Sequence, residues 1–92
     1  MNPEPDAVIF RKWKNGGGVI ALFPFIKWDN SGLIASYEHV GQHGGASPLL
    51  THAYTVPATE KDFAPLKAEL EKIGYVLRVL KRMPSHREVV DK

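Results

Sequence analysis

Val19-Ile20-Ala21-Leu22-Phe23 is apolar at every position, and Asn15-Gly16-Gly17-Gly18 stands directly before it. A strand with one wet face alternates polar and apolar residues, whereas a strand covered on both faces is a continuous apolar run. The segment therefore reads as a central strand with material packed on each side. The glycines after Asn15 permit the positive φ angles of a tight reversal. Ala7 to Lys14, which carries the strand formers Val8, Ile9, Phe10 and Trp13, becomes its hairpin partner.

Further along, Pro24 cannot donate to a ladder, so pairing is expected to end there, with Lys27 to Gly32 supplying a second turn. Leu33 to Val40 follows as a third strand, with Leu33, Ala35, Tyr37 and His39 on the face expected to meet the core. Gly41 to Pro57 is then a long connection for so small a domain, either functional or packed down as a lid, and Leu49, Leu50, Tyr54 and Val56 favour packing. Thr59-Glu60-Lys61-Asp62 approximates a capping box. The helix it opens carries Phe63, Leu66, Leu70 and Ile73 at three- and four-residue spacing, one apolar stripe. Pro65 predicts either a start near Asp62 or a distorted first turn. Gly74 ends the helix, and Tyr75 to Lys81 forms the last strand.

The order β-β-β-α-β predicts an α+β fold of two layers, an antiparallel meander with one helix across one face. The fourth strand is placed at an edge beside the first, in spatial order 3-2-1-4. One domain over residues 7–83 accounts for the pattern, with residues 1–6 and 84–92 loosely ordered. Since one helix covers one face, the other needs the long connection folded back through Leu49, Leu50 and Tyr54, or a second copy of the chain stacked sheet to sheet as a homodimer.

Composition removes several classes of function. The absence of cysteine excludes disulfides, thiolate metal sites and cysteine nucleophiles. The longest apolar run, Val19 to Ile26, is broken by Pro24 and too short to cross a bilayer, so no membrane role is expected. The first residues lack a cationic, apolar leader, which predicts a cytoplasmic protein. A net charge of +2 spread over scattered lysines and arginines predicts solvated surface charge more than a phosphate-binding face.

The candidate site is Tyr37-Glu38-His39-Val40-Gly41-Gln42-His43-Gly44-Gly45-Ala46, where the third strand gives way to a glycine-rich bend. His39 and His43 are four residues apart, but Gly41, Gly44 and Gly45 argue against a helix that would align them as metal ligands. A metal site would need His52 or Glu38 as a third ligand, and none is expected. Either histidine could act as a base, yet Ser47 has no strained elbow to make it a nucleophile. The glycines could expose backbone amides to an anion, but the lysine and hydroxyl ending of a phosphate loop is missing. Trp13, Phe23, Phe25, Trp28 and Tyr37, interleaved with Lys12, Lys14 and Lys27, could stack single-stranded nucleic acid, and the basic-Gly-aromatic block of RNA platforms is absent.

Val8-Ile9-Phe10-Arg11-Lys12, Ile20-Ala21-Leu22-Phe23-Pro24, Tyr37-Glu38-His39-Val40-Gly41-Gln42-His43-Gly44 and Ile73-Gly74-Tyr75 resemble the signature blocks of a family of small uncharacterised bacterial and mobile-element proteins. The resemblance spans Val8 to Arg82 and implies one compact domain. It brings no activity across. What the residues support together is a small non-enzymatic binding or protein-interaction module that needs no cofactor. Its binding residues are expected to be Tyr37, His39, Gln42, His43 and Gly44. The alternatives are a small hydrolase or acid-base enzyme using His39 and His43, and a nucleic-acid accessory protein.

Overall fold

The computed structural model describes residues 5–38 and 42–82, Gln42 by its backbone alone. Strand β1 (Asp6–Trp13) and strand β2 (Val19–Lys27) form the predicted hairpin, with Phe10 opposite Ala21 and Lys12 opposite Val19. The Trp13 amide donates to the Gly18 carbonyl at 2.9 Å, and Gly16 and Gly18 take φ of 84° and 96°, a region that a Cβ would strain. Strand β3 (Ile34–Glu38) pairs antiparallel with β2.

The outer edge of β1 is divided. Strand β5 (Thr55–Pro57) runs antiparallel to Arg11, Lys12 and Trp13, and strand β6 (Leu77–Val79) runs parallel to Asp6, Ala7 and Val8. The last strand thus lies beside the first, as its edge placement predicted. The architecture is α+β: a six-stranded sheet of order β4-β3-β2-β1-β5, with β6 also on β1 and every pairing but that one antiparallel.

One face of the sheet carries Val8, Phe10, Ala21, Phe23 and Tyr37, and helix α2 (Glu60–Lys72) lays Leu66 and Leu70 into it. Phe63 stacks on Phe10 with centroids 4.4 Å apart, while Tyr75, Leu77 and Val79 close the flank. Full burial of one such aliphatic side chain contributes about 1.5–3 kcal/mol. Ile73, at the exposed end of the predicted stripe, is the C-cap and does not reach the core. The helix starts at Glu60, ahead of Asp62, and runs through Pro65. Thr59 and Asp62 hold the first turn from both sides of the cap, and Pro65 is exposed, so the lost backbone bond falls on the solvent side.

Three expectations need correction. Residues 42–57 are not a structureless connection: they form strand β4 (Gln42–Ala46), paired with β3, then helix α1 (Pro48–Tyr54) and β5. Removing side chains at Gly44 and Gly45 costs propensity but leaves every ladder group in place, and pairing to β3 decides the conformation. Second, β2 does not stop at Pro24. Its register against β3 slips between Phe23 and Lys27, and the irregularity takes up the residue that cannot donate. Third, Leu49, Leu50 and Tyr54 are 74%, 59% and 62% exposed, so the segment does not bury these side chains against the second face. Ile9, Ile20, Leu22 and Ile34 on that face are nevertheless buried within one chain, with Trp13 and Leu80 packed against them.

Candidate functional site

The period-two alternation of strands puts different chemistry on the second face. There Arg11 stands opposite Ile20, and Ile20 opposite Glu38, so one row across three strands places a guanidinium and a carboxylate on either side of an isoleucine. Two strand spacings, roughly 10 Å, separate their backbones, and the guanidinium is bound to Thr55 and His52 instead of the carboxylate.

Arg11 is buried, although the sequence reading took it for a surface charge. Its Nε donates to Thr55 Oγ1 at 2.9 Å and its Nη2 to the carbonyls of Thr55 at 2.9 Å and His52 at 3.3 Å. Thr55 in turn donates its hydroxyl to the Thr51 carbonyl at 2.6 Å. The cation therefore closes the carbonyl end of α1, where the helix dipole is negative, and ties it to β1. Burial lowers the Arg11 pKa, and the acceptors hold the charged form in place. Helix α1 itself starts on Ser47, whose hydroxyl accepts from the Leu50 amide, with Pro48 in the first turn.

Between α1 and the sheet lies a cavity of about 440 Å³, lined among others by Trp13, Ser36, Glu38, Gly44, Leu50 and Tyr54. The Trp13 indole crosses the sheet and donates to Glu38 Oε2 at 3.0 Å. Ser36 donates its hydroxyl to the Gly44 carbonyl at 2.9 Å, which anchors the cavity floor on the β3–β4 pair. No Lys or Arg among the described residues forms an ion pair with Glu38. Trp13 and Glu38 were legible as strand residues; what brings them together is register, which the sequence pattern left open.

The predicted site residues are divided between the two faces. Tyr37 is buried in the helix-side core, and its hydroxyl donates to Glu69 of α2. His43 lies beside it, rings edge-on at 4.7 Å, and shares a 3.0 Å hydrogen bond with the Tyr75 hydroxyl. Gly44 belongs to the opposite face; both it and His43 border the cavity, though the His43 ring packs on Tyr37. His39 and the side chain of Gln42 lie outside the described residues. The bend reading of 42–46 is replaced by the strand, and alternation along it is why His43 and Gly44 part company. Gly45 faces the same side as His43, and a Cβ there would collide with Trp28 Cδ1, so the indole lies directly on the backbone.

No family model, curated protein or solved structure matches the chain. The site is therefore read from its own geometry. The described residues hold no group of three His, Asp or Glu able to bind a metal, and no helix among them is long and apolar enough to cross a membrane. Of the residues considered for base stacking, Phe23 and Tyr37 are buried and Phe25 and Trp28 exposed, while Lys12 pairs with Asp62 at 3.5 Å and Lys14 donates to the Ala53 carbonyl at 2.9 Å. Ser47 is engaged as a helix cap, and His43 is engaged with Tyr75 on the far face.

Proposed function

We propose that the protein is a small binding module whose ligand enters the cavity between helix α1 and the β3–β4 hairpin. The observation that carries this is the cavity itself. About 440 Å³ falls within the range of ligand pockets, roughly 300–1,000 Å³, and its wall combines aromatic and aliphatic surface with a few polar groups. The exposed Leu49, Leu50 and Tyr54 adjoin it, adding apolar surface of the kind soluble proteins keep for partners. If the chain self-associates, these residues of α1 are among the exposed apolar groups on offer, whereas Ile9, Ile20, Leu22 and Ile34 are already covered.

A fragment screen by protein NMR tests the reading. Binding fragments should shift the Trp13 indole N–H together with the amides of Ser36, Gly44 and Leu50. Hits confined to the His43–Tyr75 side, or no hits at all, would overturn it.

A further inference from the structure

The wall of the cavity carries one formal charge whose compensation is missing among the described residues. Glu38 is half-buried and accepts a single hydrogen bond, from a neutral indole donor, although a carboxylate has about four acceptor sites. The nearby groups able to carry positive charge are engaged elsewhere: Arg11 with Thr55 and His52 across the Ile20 row, Lys14 with the Ala53 carbonyl, and His43, which also lines the cavity, with the Tyr75 hydroxyl. Around the carboxylate, Trp13 and Tyr54 present aromatic surface, whose ring faces attract cations and repel anions. Leu50 lines the same cavity, and Leu49 stands exposed on the same short helix.

We infer that the cavity receives a basic side chain of a polypeptide, its ammonium or guanidinium against Glu38 and its alkyl stem along Trp13 and Tyr54, with apolar neighbours of that residue covering Leu49 and Leu50. The inference rests on the binding reading above and names the chemistry of the ligand. The carboxylate selects for positive charge, and it rejects an acidic ligand. The exposed leucines favour a peptide over a free polyamine, because a polyamine offers nothing apolar to cover them.

The test compares blocked tripeptides Leu-Lys-Leu, Leu-norleucine-Leu and Leu-Glu-Leu, with spermidine as the free amine, by NMR titration of the Trp13 indole N–H. Trp28 serves as the internal control. The lysine peptide should bind at least about tenfold tighter than its norleucine counterpart, the effect of one charge-assisted hydrogen bond. Glu38→Gln should bring the lysine and norleucine peptides to within about twofold of each other. Raising the ionic strength should shrink the lysine advantage in the unaltered protein, a readout independent of the variant's folding.

Equal binding of lysine and norleucine peptides, tighter binding of the glutamate peptide, or tighter binding of spermidine than of the lysine peptide each overturns the inference. So does a lysine advantage that salt leaves untouched. If fragments occupy the cavity while the lysine peptide leaves the Trp13 indole unmoved, the binding reading stands and the inference falls. If the fragment screen is also empty at the cavity, both fall.

Discussion

The two faces of the sheet follow the same alternation and come to opposite ends. On the helix side, β1, β2 and β3 contribute Val8, Phe10, Ala21, Phe23 and Tyr37, and Leu66 and Leu70 fill the space above them. On the other side the same strands contribute the buried Ile9, Ile20, Leu22 and Ile34, with Ser36 in the Ile9–Leu22 row and Arg11 and Glu38 flanking Ile20 in the row nearer Trp13. The first face is a core that tolerates little. The second is a core for half its length and a site for the rest, held by a buried cation where the first is held by hydrocarbon. Polar residues at alternate strand positions look like an ordinary solvent face in sequence, and cross-strand register turns them into a cavity wall.

The comparison is tested hardest at Leu70, which has no exposed surface. Leu70→Ala should cost about 3 kcal/mol, transfer and cavity terms together, read as a lower urea midpoint with little change of slope. Arg11→Met comes next. It keeps the volume but strands the carbonyls of Thr55 and His52 and the Thr55 hydroxyl, so about 2–3 kcal/mol should be lost. Hydrogen exchange should then speed up in α1 before it does in α2. A loss of only a few tenths of a kcal/mol, the usual cost of a surface substitution, would mean that the second face is not organised by its cation.

Much of the helix-side face could be read directly from the chain. Thr59, Asp62, Leu66, Leu70 and Gly74 placed α2, the glycines after Asn15 placed the first hairpin, and the alternation of Tyr75, Leu77 and Val79 matched the face they pack on. The second face was read less well because its determinants are not local. Arg11 is one basic residue among several until β5 and the end of α1 close over it, and no local pattern marks a cation that bonds 44 residues away. Ser47-Pro48 did carry a helix-start signal, which the neighbouring glycines concealed. The histidines drew attention by spacing, but the strand sends adjacent positions 43 and 44 to opposite faces, so the His43 ring packs on Tyr37 while its backbone neighbour Gly44 faces the cavity.

A smaller effect is expected at Gly45, where helix-side packing reaches the edge of the sheet. An alanine Cβ would collide with Trp28 Cδ1 and meet its Cγ at 2.8 Å, so the indole must move. Trp28 is 48% exposed and has solvent to move into, which holds the cost of Gly45→Ala to about 1 kcal/mol, the low end for overpacking. Acrylamide should quench Trp28 more readily in the variant, measured in a Trp13→Phe background. Unchanged quenching would show that the ring is not resting on the strand.

The smallest effects belong to the cap of α2, which serves only the helix-side face. Thr59→Ala removes the acceptor for the Asp62 amide and should cost about 1 kcal/mol. The Asp62 carboxylate accepts from the Thr59 amide at 3.0 Å and from its hydroxyl at 2.9 Å, and these bonds, with Lys12 nearby, lower its pKa in the folded protein. A folded pKa below the unfolded one means that the unfolded chain binds the proton more readily. Its contribution is therefore complete above the ordinary carboxylate range and disappears as pH falls through the lowered value. Asp62→Asn should flatten that part of the acid limb of the stability curve while leaving the neutral region nearly parallel to the parent. Asp29, whose carboxylate accepts from the Ser31 hydroxyl and amide, is shifted in the same direction and supplies the control. Asp29→Asn should flatten the acid limb too, but without loosening the first turn of α2 in hydrogen exchange. Equal loosening by both variants would show that the acid sensitivity is a property of net charge and not of the cap.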